Sequence, residues 1–312
     1  MAVVKAGVFE SDRSVSFDSV FILELLGPGD RRTGLSLFQS TIQPRSATHG
    51  IHTAHIAVSS TDRLIPDLWE ISKECTRRGL SPILHIESHG TKLGLGLDAN
   101  HPVPWEALVP PLRAINENSK MNLVVTLAAC HGMAIVRGLT PLQPSPVWGL
   151  FGPNEQVHEK EVEEGYQKFY AALLDTLDLN GAVRALQTGG VWCPEGWHFR
   201  SAEFFLALVY GHFLNGRRRP GERAEAERRL VVKLRRRARK NRSLTLPSDV
   251  RRRVRRQLGD EERHFQRIRR RFLMLDRLRE NELRFPLTRQ DCLRVWEEQR
   301  VAYEAYDSPA ES

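Results

Sequence analysis

The chain reads as an α/β protein with a mostly parallel sheet, followed by a helical and strongly basic C-terminal region. Two observations carry that reading. Up to about residue 215, short apolar runs alternate with amphipathic patterns of helical period, as expected of strands joined through helical crossovers. From Gly216 to Phe272, by contrast, 21 Arg and 2 Lys stand against 7 acids, although the whole 312-residue chain has a formal charge of only +8. The rest of the chain is therefore net acidic. A boundary is expected at residues 215/216, dividing a 1–215 domain from a 216–312 Arg-rich helical region, because Gly216 and Pro220-Gly221 punctuate the change in composition.

The elements follow in order. Val20 to Leu26 is a buried strand stopped by Gly27-Pro28-Gly29, and Gly34-Leu35-Ser36-Leu37-Phe38 is expected to be a second strand. His49, His52 and His55 recur every three residues, which suits neither a strand face nor a helix, so they are assigned to loop and strand edge. A helix follows, capped by Asp62, with Leu64, Ile65, Leu68, Trp69 and Ile71 as its apolar stripe and Arg77-Arg78-Gly79 as its end. The strand Ile83 to Ile86 leads into Glu87-Ser88-His89-Gly90. A helix from about Pro104 carries Leu108, Leu112 and Ile115, and the strand Leu123 to Leu127 leads into Ala128-Ala129-Cys130-His131-Gly132. Val147 to Phe151 forms one more strand, and Val162, Tyr166, Phe169, Tyr170, Leu173, Leu174 and Leu177 line one face of a long helix.

Composition excludes several classes. At 41% hydrophobic and 27% charged residues the chain is globular rather than disordered. No apolar run approaches the roughly 18 to 20 residues that cross a bilayer, so integral membrane association is not expected. Met1 to Asp12 lacks the build of a secretory signal, which makes the cytoplasm the expected compartment. Cys75, Cys130, Cys193 and Cys292 form no CxxC pair, and neither a disulfide framework nor a cysteine zinc site is indicated. Gly94-Leu95-Gly96 is too short for a phosphate loop, and no cofactor is expected.

Two central strands each end in a residue able to do chemistry, and ligands of open parallel sheets bind at the C-terminal strand edge. His89 and Cys130 are therefore expected to face each other across one cleft. A protonated thiol is a poor nucleophile, and a neighbouring imidazole that takes its proton creates the attacking thiolate. The backbone N–H groups of Gly90 and Cys130 are the candidate oxyanion donors, Gly90 because the lack of a Cβ allows close approach. His85, on the opposite strand face, is expected to be a packed core residue.

At these motifs, Ile83-Leu84-His85-Ile86-Glu87-Ser88-His89-Gly90 and Leu127-Ala128-Ala129-Cys130-His131-Gly132, the sequence resembles the caspase-like cysteine peptidases. It is most similar to the bacterial CHAT branch, akin to separase. The similarity extends over roughly residues 15 to 215, through Val147 to Phe151, the loop Gly152-Pro153-Asn154-Glu155, the helix with Phe169-Tyr170, and Gly181 to Ala185. The resemblance implies a caspase-like three-layer sandwich, peptide hydrolysis by a His89 and Cys130 dyad, and a role in bacterial antiviral defence or regulated cell death. Relatives that cut after Arg or Lys place an acid two residues before the nucleophile, where this chain has Ala128. Asp98 and Glu155 are the candidate substitutes, with basic substrates the preferred expectation.

The Arg clusters between Arg217 and Arg271 alternate with Leu230, Val231, Leu234, Phe265, Ile268 and Phe272, a pattern of amphipathic helices packed on the body. Such charge suits an activating protein partner or nucleic acid, while Glu222, Glu225, Glu227, Glu261 and Glu262 offer internal partners. The alternative to an enzyme is a catalytically silent caspase-like module that binds nucleic acid or acidic protein through this region.

Overall fold

The computed structural model describes residues 15–98, 100–153, 155–187, 197–218, 220–240, 250, 254 and 258–307. The N-terminal segment Met1 to Asp12, Asn154, Cys193 and the last five residues lie outside them. The strands are β1 (Ser19–Leu25), β2 (His52–Ala57), β3 (Pro82–Gly90), β4 (Gly94–Gly96), β5 (Val103–Pro104), β6 (Val124–Ala128), β7 (Gly149–Pro153) and β8 (Trp197–Ser201). They form one sheet in the order β2-β1-β3-β6-β7-β8, with β4 and β5 as a side branch on β3. Pairing is parallel from β2 through β7, and only β8 runs antiparallel within the main order.

Helices cover both faces. They are α1 (Thr33–Leu37), α2 (Gln43–His49), α3 (Leu64–Arg78), α4 (Trp105–Asn118), α5 (Glu159–Thr176), α6 (Leu179–Gln187), α7 (Ala202–Arg218), α8 (Pro220–Lys240), α9 (Glu261–Phe272), α10 (Asn281–Arg284) and α11 (Arg289–Asp307). The chain leaves β1 leftward to β2 and then returns rightward to β3 and β6. Right-handed crossovers therefore put α1 and α2 on one face and α3 and α4 on the other. Helix α5 packs against α1 and α2, and α3 against α4, which completes a three-layer α/β sandwich. The central strands are apolar because both faces are covered: β1 is buried along its whole length. Helix α3 buries Leu64, Leu68, Ile71 and Cys75 and ends at Gly79, whose φ of 70° is the left-handed conformation that glycine adopts without strain.

Two expectations are corrected. Gly34 to Phe38 is helical rather than a strand: α1 continues through a wider-wound turn, Phe38–Ile42, into α2. Its buried residues Thr33, Gly34, Leu37, Thr41 and Ile42 recur three and four apart, the spacing of one helix face. The expected 215/216 boundary falls inside α7, which runs unbroken from Ala202 to Arg218. Phe265, Ile268, Phe272, Phe285, Cys292, Val295 and Trp296 share one hydrophobic core with the sheet residues. A separate small cluster of Val231, Val250, Val254 and Leu258, with Leu230 and Leu234 packed on it, is the part of the basic region that stands apart. Among the described residues no helix is long and apolar enough to cross a membrane.

Candidate active site

Strand β3 is buried from Pro82 to Ser88 and emerges at His89, whose side chain is 50% exposed. Its neighbour β6 ends at Ala128, in register with Glu87. Beyond Ala129 the chain turns at Cys130, because His131 takes a left-handed φ of 58° before the tight helical turn Gly132–Gly138. The two strand ends touch at Gly90. A Cβ there would meet the carbonyl oxygen of Cys130 and lie 2.8 Å from its nitrogen, so only glycine lets the His89 segment lie against Cys130.

His89 and Cys130 both line one cleft of about 170 Å³ at the C-terminal edge of the sheet. The loop after β1 supplies Leu26, Asp30 and Arg31, the start of α1 supplies Thr33, β3 supplies Glu87 and Ser88, β6 and its exit supply Ala128 and Ala129, and Val157, Glu159 and Val162 form the remaining wall. Helix α5 is held over this edge by the Tyr166 hydroxyl, which donates to the Leu127 carbonyl at 2.8 Å.

Asp30 is the residue that sequence reasoning missed. Its Oδ2 lies 2.9 Å from Nε2 of His89. A turn fixes it there: the Asp30 N–H donates to the Gly27 carbonyl at 3.1 Å, and the Gly27 N–H donates back to Oδ2 at 2.6 Å. Partial burial raises the Asp30 pKa, but the Gly27 N–H, the bond to His89, and the charges of His89 and Arg32 outweigh it and hold the carboxyl below its ordinary value. An ionised Asp30 accepts a hydrogen bond from Nε2–H and so favours the tautomer whose Nδ1 carries the free lone pair.

Beneath the cleft lie two carboxyls whose pKa values are shifted in opposite directions. Glu24 on β1 and Glu87 on β3 are in register and almost wholly buried. Burial raises the Glu24 pKa, but hydrogen bonds from His55 and the Leu35 N–H, with the charges of His55 and Arg32, bring it below the ordinary value. Glu87 is pushed well above it, by burial first and then by the charges of Glu24, Glu163 and Glu159. Thr33 Oγ1 bonds to Oε1 of Glu87, and Arg31 pairs with Glu163 at 2.8 Å.

The sequence candidates divide. His89, Cys130 and Ala128 line the cleft, and Gly90 packs on Cys130. Asp98 and Glu155 are exposed and absent from its walls: Asp98 accepts the Asn100 N–H at 2.7 Å, and the Glu155 carbonyl accepts the His131 N–H at 3.3 Å. His85 is a core residue, bonded through Nδ1 to Thr126 Oγ1 at 2.9 Å with its ring edge-on to Tyr166, and burial lowers its pKa to about 3. Burial lifts the thiol pKa of Cys75 to about 12 and raises that of Cys292 as well, which leaves both inert. Neither a family model nor a curated protein matches this chain.

Proposed function

We propose that the protein is a caspase-like cysteine endopeptidase in which Cys130 is the nucleophile, His89 the general base and Asp30 the residue that positions His89. The observation that carries this is the convergence of His89 and Cys130 on one cleft, with Asp30 2.9 Å from Nε2 of the ring. Nδ1 of His89 takes the thiol proton, and the sulfur attacks the scissile carbonyl. The resulting oxyanion is held by backbone N–H groups of Gly90 and Cys130. Collapse of the intermediate breaks the C–N bond, and His89 returns the proton to the leaving amine. Water, deprotonated by the same ring, then releases the acyl group from Cys130. The resemblance to CHAT proteins makes a partner protein in a bacterial defence or cell-death response the expected substrate.

The test is proteolysis of a protein and peptide panel by the purified chain and by Cys130→Ala and His89→Ala. Both variants should lose cleavage while melting as the parent does; undiminished cleavage by either overturns the assignment. A basic partner surface accompanies this reading, since Arg263, Arg267 and Arg270 are exposed along one face of α9. Nucleic-acid binding there would weaken steeply with added salt, through counterion release.

A further inference from the structure

Away from the cleft, the cations of the basic region divide into matched and unmatched ones. On α8, Arg228 and Arg229 both pair with Glu225, at 2.8 Å each. Around α9, Arg269 pairs with Glu282 at 3.0 Å, Arg271 with Asp276 at 2.5 Å, and Arg289 with Glu261 and Glu262 at 2.9 and 3.3 Å. Gln266 also donates to Glu262, at 2.8 Å, and Asp260 caps the helix through the Arg263 N–H. The acids beside α9 are thus engaged elsewhere. Arg263, Arg267 and Arg270 have no carboxylate partner among the described residues, and with His264 and Gln266 they line a groove of about 420 Å³. Like charges three and four residues apart on a helix repel one another, a cost that a covering polyanion reverses. The helix holds the three in place from its other side. Phe265, Ile268, Arg269 and Phe272 are buried, with Phe265 edge-on to Tyr210 of α7. At 3.6 residues per turn the three arginines fall within an arc of about 60° opposite that buried face, spread over about 10 Å of helix.

We propose that this groove on α9 is a binding site for single-stranded nucleic acid, with Arg263, Arg267 and Arg270 on successive phosphates. The guanidinium fork matches phosphate oxygens in pairs. Among the described residues the groove walls carry no aliphatic or aromatic apolar side chain, which the core of a protein interface or insertion into a lipid surface would need. The planar guanidinium groups offer bases a stacking face, and unpaired bases are free to use it. The site narrows the basic surface to three side chains and does not rest on the peptidase reading. It is also remote from the cleft. The Phe272 carbonyl at the end of α9 accepts the Ser145 N–H at 2.8 Å, and Ser145 lies just before β7 begins, at the opposite edge of the sheet from His89 and Cys130.

The experiment follows fluorescence anisotropy of a labelled oligouridine of about 15 nucleotides with the full chain over a series of salt concentrations. For the parent, the logarithm of the binding constant should fall with the logarithm of salt concentration at a slope of about −2 or steeper, three phosphate contacts at about 0.7 each. The triple variant Arg263→Gln, Arg267→Gln, Arg270→Gln should melt as the parent does, bind more than about 30-fold more weakly at low salt, and lose about 2 from the slope. Each single variant should lose about 0.7, so a triple variant that fails to fold does not remove the test. The α8 double variant Arg228→Gln, Arg229→Gln should bind within about twofold of the parent, since its charges are already paired at the surface. Cys130→Ala should bind as the parent does, whatever becomes of the peptidase reading. The inference is overturned by a triple variant that binds like the parent, by an equal loss in the α8 variant, or by no binding of the strand at all. Tighter binding of a duplex of the same length, of labelled polyglutamate or of phosphatidylserine vesicles also overturns it, and assigns the surface to that partner instead.

Discussion

An imidazole half exposed to water samples several orientations and two tautomers, and the carboxylate of Asp30 selects one of each. If Asp30 acts by positioning, Asp30→Asn should lower kcat/KM about 10- to 100-fold, within the range of general acid–base effects, and should alter the pH profile. The sign follows from its lowered pKa. The folded form binds its proton less readily than the unfolded chain, so the contribution is present above the ordinary aspartate value and is lost as pH falls through the depressed one. A parallel pH profile with unchanged kcat/KM would show that Asp30 does not hold the ring. Glu87 has the opposite sign. Its raised pKa means the folded state keeps a proton that the unfolded chain releases, so its burial costs more stability as pH rises above the ordinary glutamate value towards the folded one. The groups facing it are Glu24, Glu159 and Glu163, the Thr33 hydroxyl, and His85, whose Nε2 lies 3.9 Å from its Oε2. Glu87→Gln should therefore melt about 2 to 4 °C above the parent at pH 8 and nearly with it at pH 5, as thermal scans at both would read. Neither acid is legible as a site residue in the sequence. Asp30 follows Gly27-Pro28-Gly29 and reads as turn chemistry, and Glu87 ends an apolar strand. Only the pairing of β1 with β3 sets Glu24 beside Glu87, and only the Gly27 turn aims Asp30 at His89. His89 and Cys130 stand out because imidazole and thiol at strand ends are rare chemistry.

At the level of elements, apolar period and Gly/Pro punctuation account for most of the sandwich. The apolar strands β1, β3, β6 and β7 and the helices α3, α4 and α5 lie where the patterns put them. The segment Gly34 to Phe38 did not, because five residues with apolar positions two apart fit a strand as well as one turn of helix. What decides it is tertiary. The first turn of α1 brings the Thr33 hydroxyl to Glu87 and the Leu35 N–H to Glu24, at 3.1 Å, two bonds to buried carboxyls that a strand would not make. The pairing of α7 with α11 was equally hidden, since nothing in Gly211 announces a partner 85 positions away. A Cβ on Gly211 would overlap the indole of Trp296, so the ring packs directly against the helix backbone at that point. Gly211→Ala should therefore lower stability by about 1 to 3 kcal/mol despite its better helix propensity, through overpacking. Denaturant unfolding measures it, and a stabilised variant would show that the two helices separate readily.

Over the whole molecule, charge and core divide the chain differently. The composition breaks near residue 215, whereas the hydrophobic core includes Phe265, Phe272, Phe285 and Trp296 and excludes the Val231 cluster. Arginine content marks a surface, and apolar contacts decide what folds together; Arg269 in the charged run is itself buried, donating to the Phe285 carbonyl at 2.9 Å. Removing 217–312 strips at least four large aromatic side chains from the core. At about 1.5 to 3 kcal/mol for each, the loss rivals the whole stability of an ordinary domain, about 5 to 15 kcal/mol. That truncation should abolish cooperative unfolding. Replacing only residues 219–259 should not. The Tyr210 hydroxyl donates to the Glu261 carbonyl at 3.2 Å, so the start of α9 lies beside the middle of α7. The eight helical steps from Tyr210 to Arg218 span about 12 Å. A Gly/Ser linker of ten residues has a mean reach of about 17 Å and can close that gap. The linked chain should melt cooperatively and retain labelling of Cys130 by a thiol probe, since its core, its sheet edge and Asp30 are untouched. A linked chain that unfolds without cooperativity would instead make the Val231 cluster an integral part of the fold, and would place the basic region among the structural requirements of the cleft.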